Sequence, residues 1–99
     1  LHFDESTIPP PEAPKGLMVE PTTQSLTVQW QENIESDLHS YNVYRKTGEG
    51  EYKIEAMGLI QPKYEDFVIE PGNTYTYIVR AVDVAGTLSA PSEPVMQSF

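Results

Sequence analysis

Cysteine is absent from this chain of 99 residues, which excludes thiol nucleophiles, thiolate metal ligands and disulfide bonds. Long apolar runs are also missing, since none approaches the ~18 residues that a transmembrane helix requires. Basic residues are scarce: six lysines and arginines stand against fifteen acidic residues, for a net charge of −9. Because such a charge repels a phosphate backbone and an anionic membrane surface, we expect neither nucleic acid nor a membrane as a partner.

Helical periodicity is a further absence, because apolar residues recur at every second position instead. Successive side chains of a β-strand point to opposite faces, so each alternating set forms one buried stripe. The alternation predicts a core of aromatic and β-branched residues from three segments, and its principal members are Trp30, Tyr41, Val43, Tyr75, Tyr77 and Val79.

Turn residues divide the chain into seven short strands. A Gly-rich turn occupies residues 47–50, and a Pro-Gly-Asn turn occupies residues 71–73. The predicted strands are residues 15–19, 25–31, 39–47, 51–55, 63–67, 74–83 and 92–97. Strands at this spacing are typical of an all-β, immunoglobulin-like sandwich, with seven strands in two antiparallel sheets and Greek-key connections.

Prolines concentrate at the two ends of the chain. We predict a Pro-rich linker at residues 1–10, one domain at residues 11–97 and an exit segment at residues 98–99. Proline favours extended backbone, so the linker is expected to act as a semi-rigid spacer. A compact middle between Pro-rich ends is typical of a module from a multidomain chain. The expected partners are therefore neighbouring domains of the same chain, with the module itself a monomer.

Several motifs, in their order along the chain, resemble a fibronectin type III domain. They are Pro-x-x-Pro-Lys-Gly-Leu at 11–17, Leu-Thr-Val-Gln-Trp at 26–30, Ser-Tyr-Asn-Val-Tyr-Arg at 40–45, Pro-Gly-Asn-Thr-Tyr-Thr-Tyr at 71–77 and Ser-Ala-Pro-Ser-Glu-Pro at 89–94. The resemblance runs from about Pro11 to Val95, and the motif sequences are closer to those of the bacterial extracellular branch of the family. It implies that Tyr75 is the tyrosine corner, whose hydroxyl bonds to backbone upstream.

The resemblance also implies a function. Bacterial modules of this kind resemble non-catalytic spacers in secreted or cell-surface proteins, among them polysaccharide-degrading enzymes. The expected location is therefore extracellular or at the cell surface, and no enzymatic activity or cofactor is expected. The alternative is a protein- or glycan-binding module. It would use the sheet face formed by residues 39–47 and 74–83, or the loops at residues 32–38 and 84–91.

Three groups of polar residues raise the question of catalysis or metal binding. Residues 36–40 contain serine, aspartate and histidine, but five consecutive residues entering a strand cannot easily make a triad geometry. Glu32, Glu35 and Asp37 offer oxygen ligands for calcium, although without the Gly-punctuated pattern of a calcium loop. His39 and His2 lack a third zinc ligand. We therefore predict no catalytic and no metal-binding residues.

One exposed patch is the remaining candidate. If the predicted core residues point inward, large side chains between them point outward on a face that solvent should reach. This predicts a contact patch for a neighbouring domain or partner, made of Tyr44, Tyr52, Ile78, Arg80 and Val82. The alternative is cross-strand pairing without a partner, with Arg80 stacked on Tyr44.

Overall fold

The computed structural model describes residues 9–99, so most of the predicted linker and His2 lie outside the described residues. The described chain contains seven β-strands and no helix that could span a membrane. The strands are β1 (Lys15–Pro21), β2 (Leu26–Gln31), β3 (Leu38–Thr47), β4 (Lys53–Leu59), β5 (Lys63–Asp66), β6 (Thr74–Asp83) and β7 (Val95–Ser98).

The strands form two antiparallel sheets that pack face to face. One sheet has three strands in the order β1-β2-β5, and the other has four in the order β4-β3-β6-β7. The fold is therefore an all-β, immunoglobulin-like sandwich, as the period-two pattern predicts. The long pairing of β3 with β6 forms the centre of the larger sheet. Its register is continuous from Ser40 opposite Val82 to Thr47 opposite Tyr75 and shifts once beyond Ser40, where Leu38 lies opposite Asp83.

The core lies between the sheets and is built from alternate residues of β2, β3 and β6. All six predicted core residues are buried. The Trp30 ring meets the Tyr41 ring edge-on, with centroids 5.3 Å apart, a geometry that aromatic pairs favour. The Tyr75 hydroxyl accepts a hydrogen bond from the Glu70 amide at 2.7 Å, which is the bond expected of a tyrosine corner.

The last strand begins later than its sequence pattern indicates, at Val95 instead of residue 92. Pro91 and Pro94 lack amide donors and interrupt the strand ladder. Two serines bond to β6 instead: Ser89 Oγ accepts from the Ala81 amide at 2.8 Å, and Ser92 Oγ accepts from the Val79 amide at 2.9 Å. The serine amides donate in return to the carbonyls of the same two residues.

The fourth strand is displaced toward the C-terminus, since β4 spans Lys53–Leu59 where the sequence predicts residues 51–55. Its pairing with β3 shifts register twice: Tyr44 lies opposite Ile54, Val43 opposite Ala56 and Tyr41 opposite Leu59. Gly58 adopts a positive φ of 72° in this irregular stretch, and its amide donates to Asn42 Oδ1. A side chain would be strained at that φ.

Candidate functional site

The side of the four-stranded sheet that faces away from the core, here called the outer face, carries the predicted contact patch. Strand register places on it every second residue of β3 and β6, with neighbours from β4 and β7. Its members are Ser40, Asn42, Tyr44, Lys46, Ile54, Met57, Thr74, Thr76, Ile78, Arg80, Val82, Met96 and Ser98.

Apolar side chains form a row across the middle of the outer face. Tyr44 is paired with Ile54 on one side and with Ile78 on the other. Ile54 is exposed, whereas Tyr44 and Ile78 are half-buried. Met96 is also exposed and lies opposite Thr76 on β7.

A shallow depression continues this apolar surface toward the turn between β6 and β7. Its volume is about 440 Å³, and it is open to solvent. Met57, Val82 and Leu88 supply its apolar walls, and His39, Asn42 and Asp83 supply polar groups. Because the depression is shallow and open, it is suited to a contact surface and not to an enclosed ligand site.

Two cations flank the apolar row. Lys46 Nζ lies 5.3 Å from the centroid of the Tyr52 ring, which is within range of a cation–π interaction. Arg80 Nε donates to the Ser89 carbonyl at 3.0 Å, and Arg80 lies opposite Asn42 in the strand register. The stacking of Arg80 on Tyr44, one form of the predicted cross-strand pairing, is not among the cation–π contacts of the described residues.

Four of the five predicted patch residues therefore lie together on the outer face: Tyr44, Ile78, Arg80 and Val82. Tyr52 lies in the connection between β3 and β4 and joins the patch at its margin through Lys46. Sequence reasoning missed Ile54, Met57 and Met96. Their position depends on the bulged register of β4 and on the late start of β7.

Inside the sandwich, near the turns at residues 48–52 and 67–73, a polar cluster interrupts the apolar core. The fully buried Asp66 carboxylate accepts from Arg45 Nη1 and from the Tyr77 hydroxyl, each at 2.6 Å. Its other oxygen accepts from the Val68 amide at 3.0 Å. Arg45 also pairs with Glu55 at 3.0 Å. Burial and the Asp66 hydrogen bond raise the pKa of Tyr77, which keeps its hydroxyl a donor.

Polar side chains in and next to the loop between β2 and β3 form hydrogen bonds within the domain. Glu35 accepts a hydrogen bond from the Glu12 amide at 2.6 Å, and this bond lowers the pKa of the Glu35 carboxyl. His39 Nδ1 is hydrogen-bonded to its chain neighbour Ser40. Within residues 9–99, no group of three or more histidines and carboxylates is placed to hold a metal ion.

Residues 12–98 match the family model of the fibronectin type III domain. This match decides the family. The chain belongs to the fibronectin type III family. Fibronectin type III domains are generally non-catalytic modules, and this chain is one of them. No curated protein sequence matches the chain.

Several solved structures are similar to this chain in architecture. An Fn3-like protein from Clostridium thermocellum is 26% identical with a TM-score of 0.74, and the match covers 90% of this chain and 94% of that one. A β-1,2-glucanase from Parabacteroides distasonis is 27% identical with a TM-score of 0.76, over 89% of this chain and 12% of that one. The sixth fibronectin type III domain of human fibronectin type III domain containing protein 3 is 23% identical with a TM-score of 0.75, over 97% and 92% of the two chains.

Proposed function

We propose that this fibronectin type III domain is a non-catalytic spacer in a larger secreted or cell-surface bacterial protein, such as a polysaccharide-degrading enzyme. The observation that carries the proposal is that the chain enters and leaves at opposite ends of the sandwich. Lys15 pairs with Gln31 at the end of β2, whereas Ser98 pairs with Thr74 at the start of β6. Neighbouring domains would therefore be held apart along the strand direction.

The length of the step follows from the strands. The two longest, β3 and β6, have ten residues each, which at about 3.4 Å per residue span about 30 Å. A rigid step of this size sets the distance and the effective concentration of the domains on either side.

Both ends of the described chain are hydrogen-bonded to the body of the domain. At the entry, the Glu12 amide donates to Glu35, and Asn33 Nδ2 donates to the Glu12 carbonyl at 2.8 Å. At the exit, the Phe99 amide donates to the Asn73 carbonyl at 3.0 Å. These bonds favour a fixed direction for the chain where it joins its neighbours, which a spacer requires.

The glucanase gives support to the class of parent protein. In that enzyme, the part that matches this chain is 12% of the total length. A segment that is 27% identical to this chain therefore occurs within a longer polysaccharide-degrading enzyme.

Sugar binding through stacked rings has less support among the described residues. Trp30 is buried in the core, Tyr44 is only half-exposed, and one side of the Tyr52 ring faces Lys46. A row of open, coplanar rings is therefore not available on the outer face.

The spacer proposal is tested by the rigidity of the entry. Because the chain has no cysteine, spin labels can be placed at Pro10→Cys and Gln24→Cys without background labelling. Gln24 lies in the turn at the opposite end of the sandwich from the entry, so the two labels span the domain. We expect one narrow distance distribution, because the hydrogen bonds of Glu12 fix the entering chain. Glu35→Ala should broaden the distribution, because it removes the acceptor of the Glu12 amide.

Glu32→Ala is the matched control, since it removes an exposed carboxylate from the same loop. It should leave the distance distribution narrow. A distribution that is already broad in the unsubstituted chain would contradict the spacer proposal, because the entry would then not transmit a direction.

A further inference from the structure

We propose that the outer face binds an acidic protein segment in which apolar side chains lie between carboxylates. This inference does not depend on the spacer role, because it rests on the charge and composition of one sheet surface.

Charge is distributed unevenly over the domain. The chain carries a net charge of −9 with fifteen acidic residues, yet strand register places none of the acidic residues between positions 9 and 99 on the outer face. The face holds two of the six basic residues, Lys46 and Arg80. Since salt screens exposed charges beyond about 8 Å, a partner in contact with this face meets its local positive charge.

The acidic side chains that neighbour the face either have partners of their own or lie beside the other sheet. Glu55 pairs with Arg45 on the core side of the sheet, and Asp83 accepts from the backbone amides of Ala85 and Thr87. Glu93 borders a depression against Lys15 and Leu17 at the other sheet. Asp83 also lines the depression beside Val82, so the part of the outer face farthest from it, around Lys46, keeps its local positive charge.

Apolar area accompanies the two cations. Ile54, Met57 and Met96 are exposed, and the half-buried Tyr44 and Ile78 connect Ile54 to the centre of the sheet. A contiguous apolar surface bordered by charge is typical of a protein contact site. Aliphatic side chains complement this surface better than sugar rings do, because rings stack on open aromatic planes.

Two cations are too few for nucleic acid against the overall charge of −9. They are enough to orient an acidic protein segment, because complementary charges at the rim of an interface mainly set association rate and specificity. The apolar row would then supply the contact that holds the segment in place.

The experiment uses the full 99-residue chain, labelled with ¹⁵N and titrated with a ten-residue probe peptide in which glutamate and aspartate alternate with leucine and tyrosine. We expect chemical-shift changes concentrated at outer-face residues such as Tyr44, Ile78 and Arg80. Raising the salt from 50 to 300 mM should weaken binding, and a peptide with lysine at the acidic positions should give no such changes.

Two pairs of variants separate this face from the rest of the surface. Lys46→Glu should weaken binding about fivefold, whereas Lys63→Glu makes the same charge change on the three-stranded sheet and should have little effect. Met96→Thr should weaken binding too. Met18→Thr should not, although Met18 is 54% exposed compared with 67% for Met96.

Equal losses for Lys46→Glu and Lys63→Glu would overturn the proposal, since only net charge would then matter. Shift changes scattered over both sheets, or none at all, would overturn it as well. Outer-face changes with polygalacturonate and none with the probe peptide would assign the face to an acidic glycan instead. If Met96→Thr retains full affinity while Lys46→Glu loses it, the apolar part of the proposal is wrong.

Discussion

Removing the Asp66 carboxylate is the sharpest test of how this sandwich is held together. Asp66 belongs to β5 in the three-stranded sheet, whereas Arg45 and Tyr77 belong to β3 and β6 in the four-stranded sheet. The carboxylate thus links the two sheets through two hydrogen bonds of 2.6 Å. Asp66→Ala leaves the Tyr77 hydroxyl and the Val68 amide without this acceptor, and it leaves Arg45 with Glu55 and the Val68 carbonyl.

The magnitude follows from the burial of the cluster. Removing one partner of a buried ion pair costs about 3–5 kcal/mol, because the remaining charge stays in a poorly solvated place. Since Arg45 keeps Glu55 as a second partner, we expect a loss at the lower end of that range, about 3 kcal/mol. With total stabilities of about 5–15 kcal/mol for small domains, the variant should still fold at low temperature.

Urea unfolding followed by the fluorescence of Trp30 measures the loss directly, because the chain contains a single tryptophan. With a urea slope of about 1–3 kcal/mol per molar, the midpoint should fall by roughly 1–3 M. Glu65→Gln is the matched control, since it neutralises the adjacent carboxylate, which is only partly buried and accepts from Ser25 and Thr27. It should cost less than about 1 kcal/mol.

Should Asp66→Ala fail to fold, Asp66→Asn removes the charge and preserves the shape of the side chain. A double-mutant cycle with Tyr77→Phe should then show a coupling of at least about 0.5 kcal/mol, as residues in one hydrogen-bond network do. A loss below about 1 kcal/mol for Asp66→Ala, or no coupling to Tyr77, would refute the idea that this cluster joins the sheets.

Three further perturbations test the core and the tyrosine corner. Trp30→Ala should lower the free energy of unfolding by about 3–5 kcal/mol, measured by far-UV circular dichroism during urea unfolding. A loss under about 1 kcal/mol would mean that the indole is not central to core packing. Tyr75→Phe leaves the Glu70 amide without its 2.7 Å acceptor and should cost about 1–3 kcal/mol by the same measurement; an unchanged midpoint would contradict this. The raised pKa of Tyr77, caused by burial and by Asp66, favours the neutral phenol in the folded state. The contribution of this neutral phenol to the stability of the folded state should be complete below the ordinary tyrosine pKa of about 10. It should be lost progressively as the pH rises above that value. The urea midpoint should therefore fall as the pH rises above about 10, and Tyr77→Phe should reduce that fall. An equal fall in both proteins would contradict the assignment.

The fold could be predicted from the sequence because apolar and polar residues alternate most regularly in the strands whose apolar side is buried between the two sheets. Trp30 with Val28, and Tyr77 with Val79, read as one face of a strand without reference to any partner. The ends of strands depend on contacts across the sandwich and are harder to predict. The start of β7 is an example, because the bonds of Ser92 to Val79 take the place of a strand ladder.

The outer face could be predicted only in part. Tyr44, Ile78 and Val82 follow from the parity of two regular strands that pair without a shift over most of their length. Ile54 and Met57 could not be placed, because two register shifts in β4 change which residues face outward. Parity in a bulged edge strand is decided by its pairing partner, and the sequence of β4 alone does not contain that information.

The buried cluster shows what a strand pattern leaves out. Arg45 continues the alternation of Tyr41 and Val43 and so belongs on the inward side, but an inward charge is costly without a paired acceptor. That acceptor, Asp66, lies 21 residues away on a strand of the other sheet. Its bonds join the sheets near the exit of the chain, whereas the bond from the Glu12 amide to Glu35 fixes the chain at the entry. A domain that only needed to fold could fill both places with apolar contacts. Directional polar bonds at each end restrict how the sheets and the entering chain can turn, and this restriction is what a module needs if it is to hold its neighbours at a set angle.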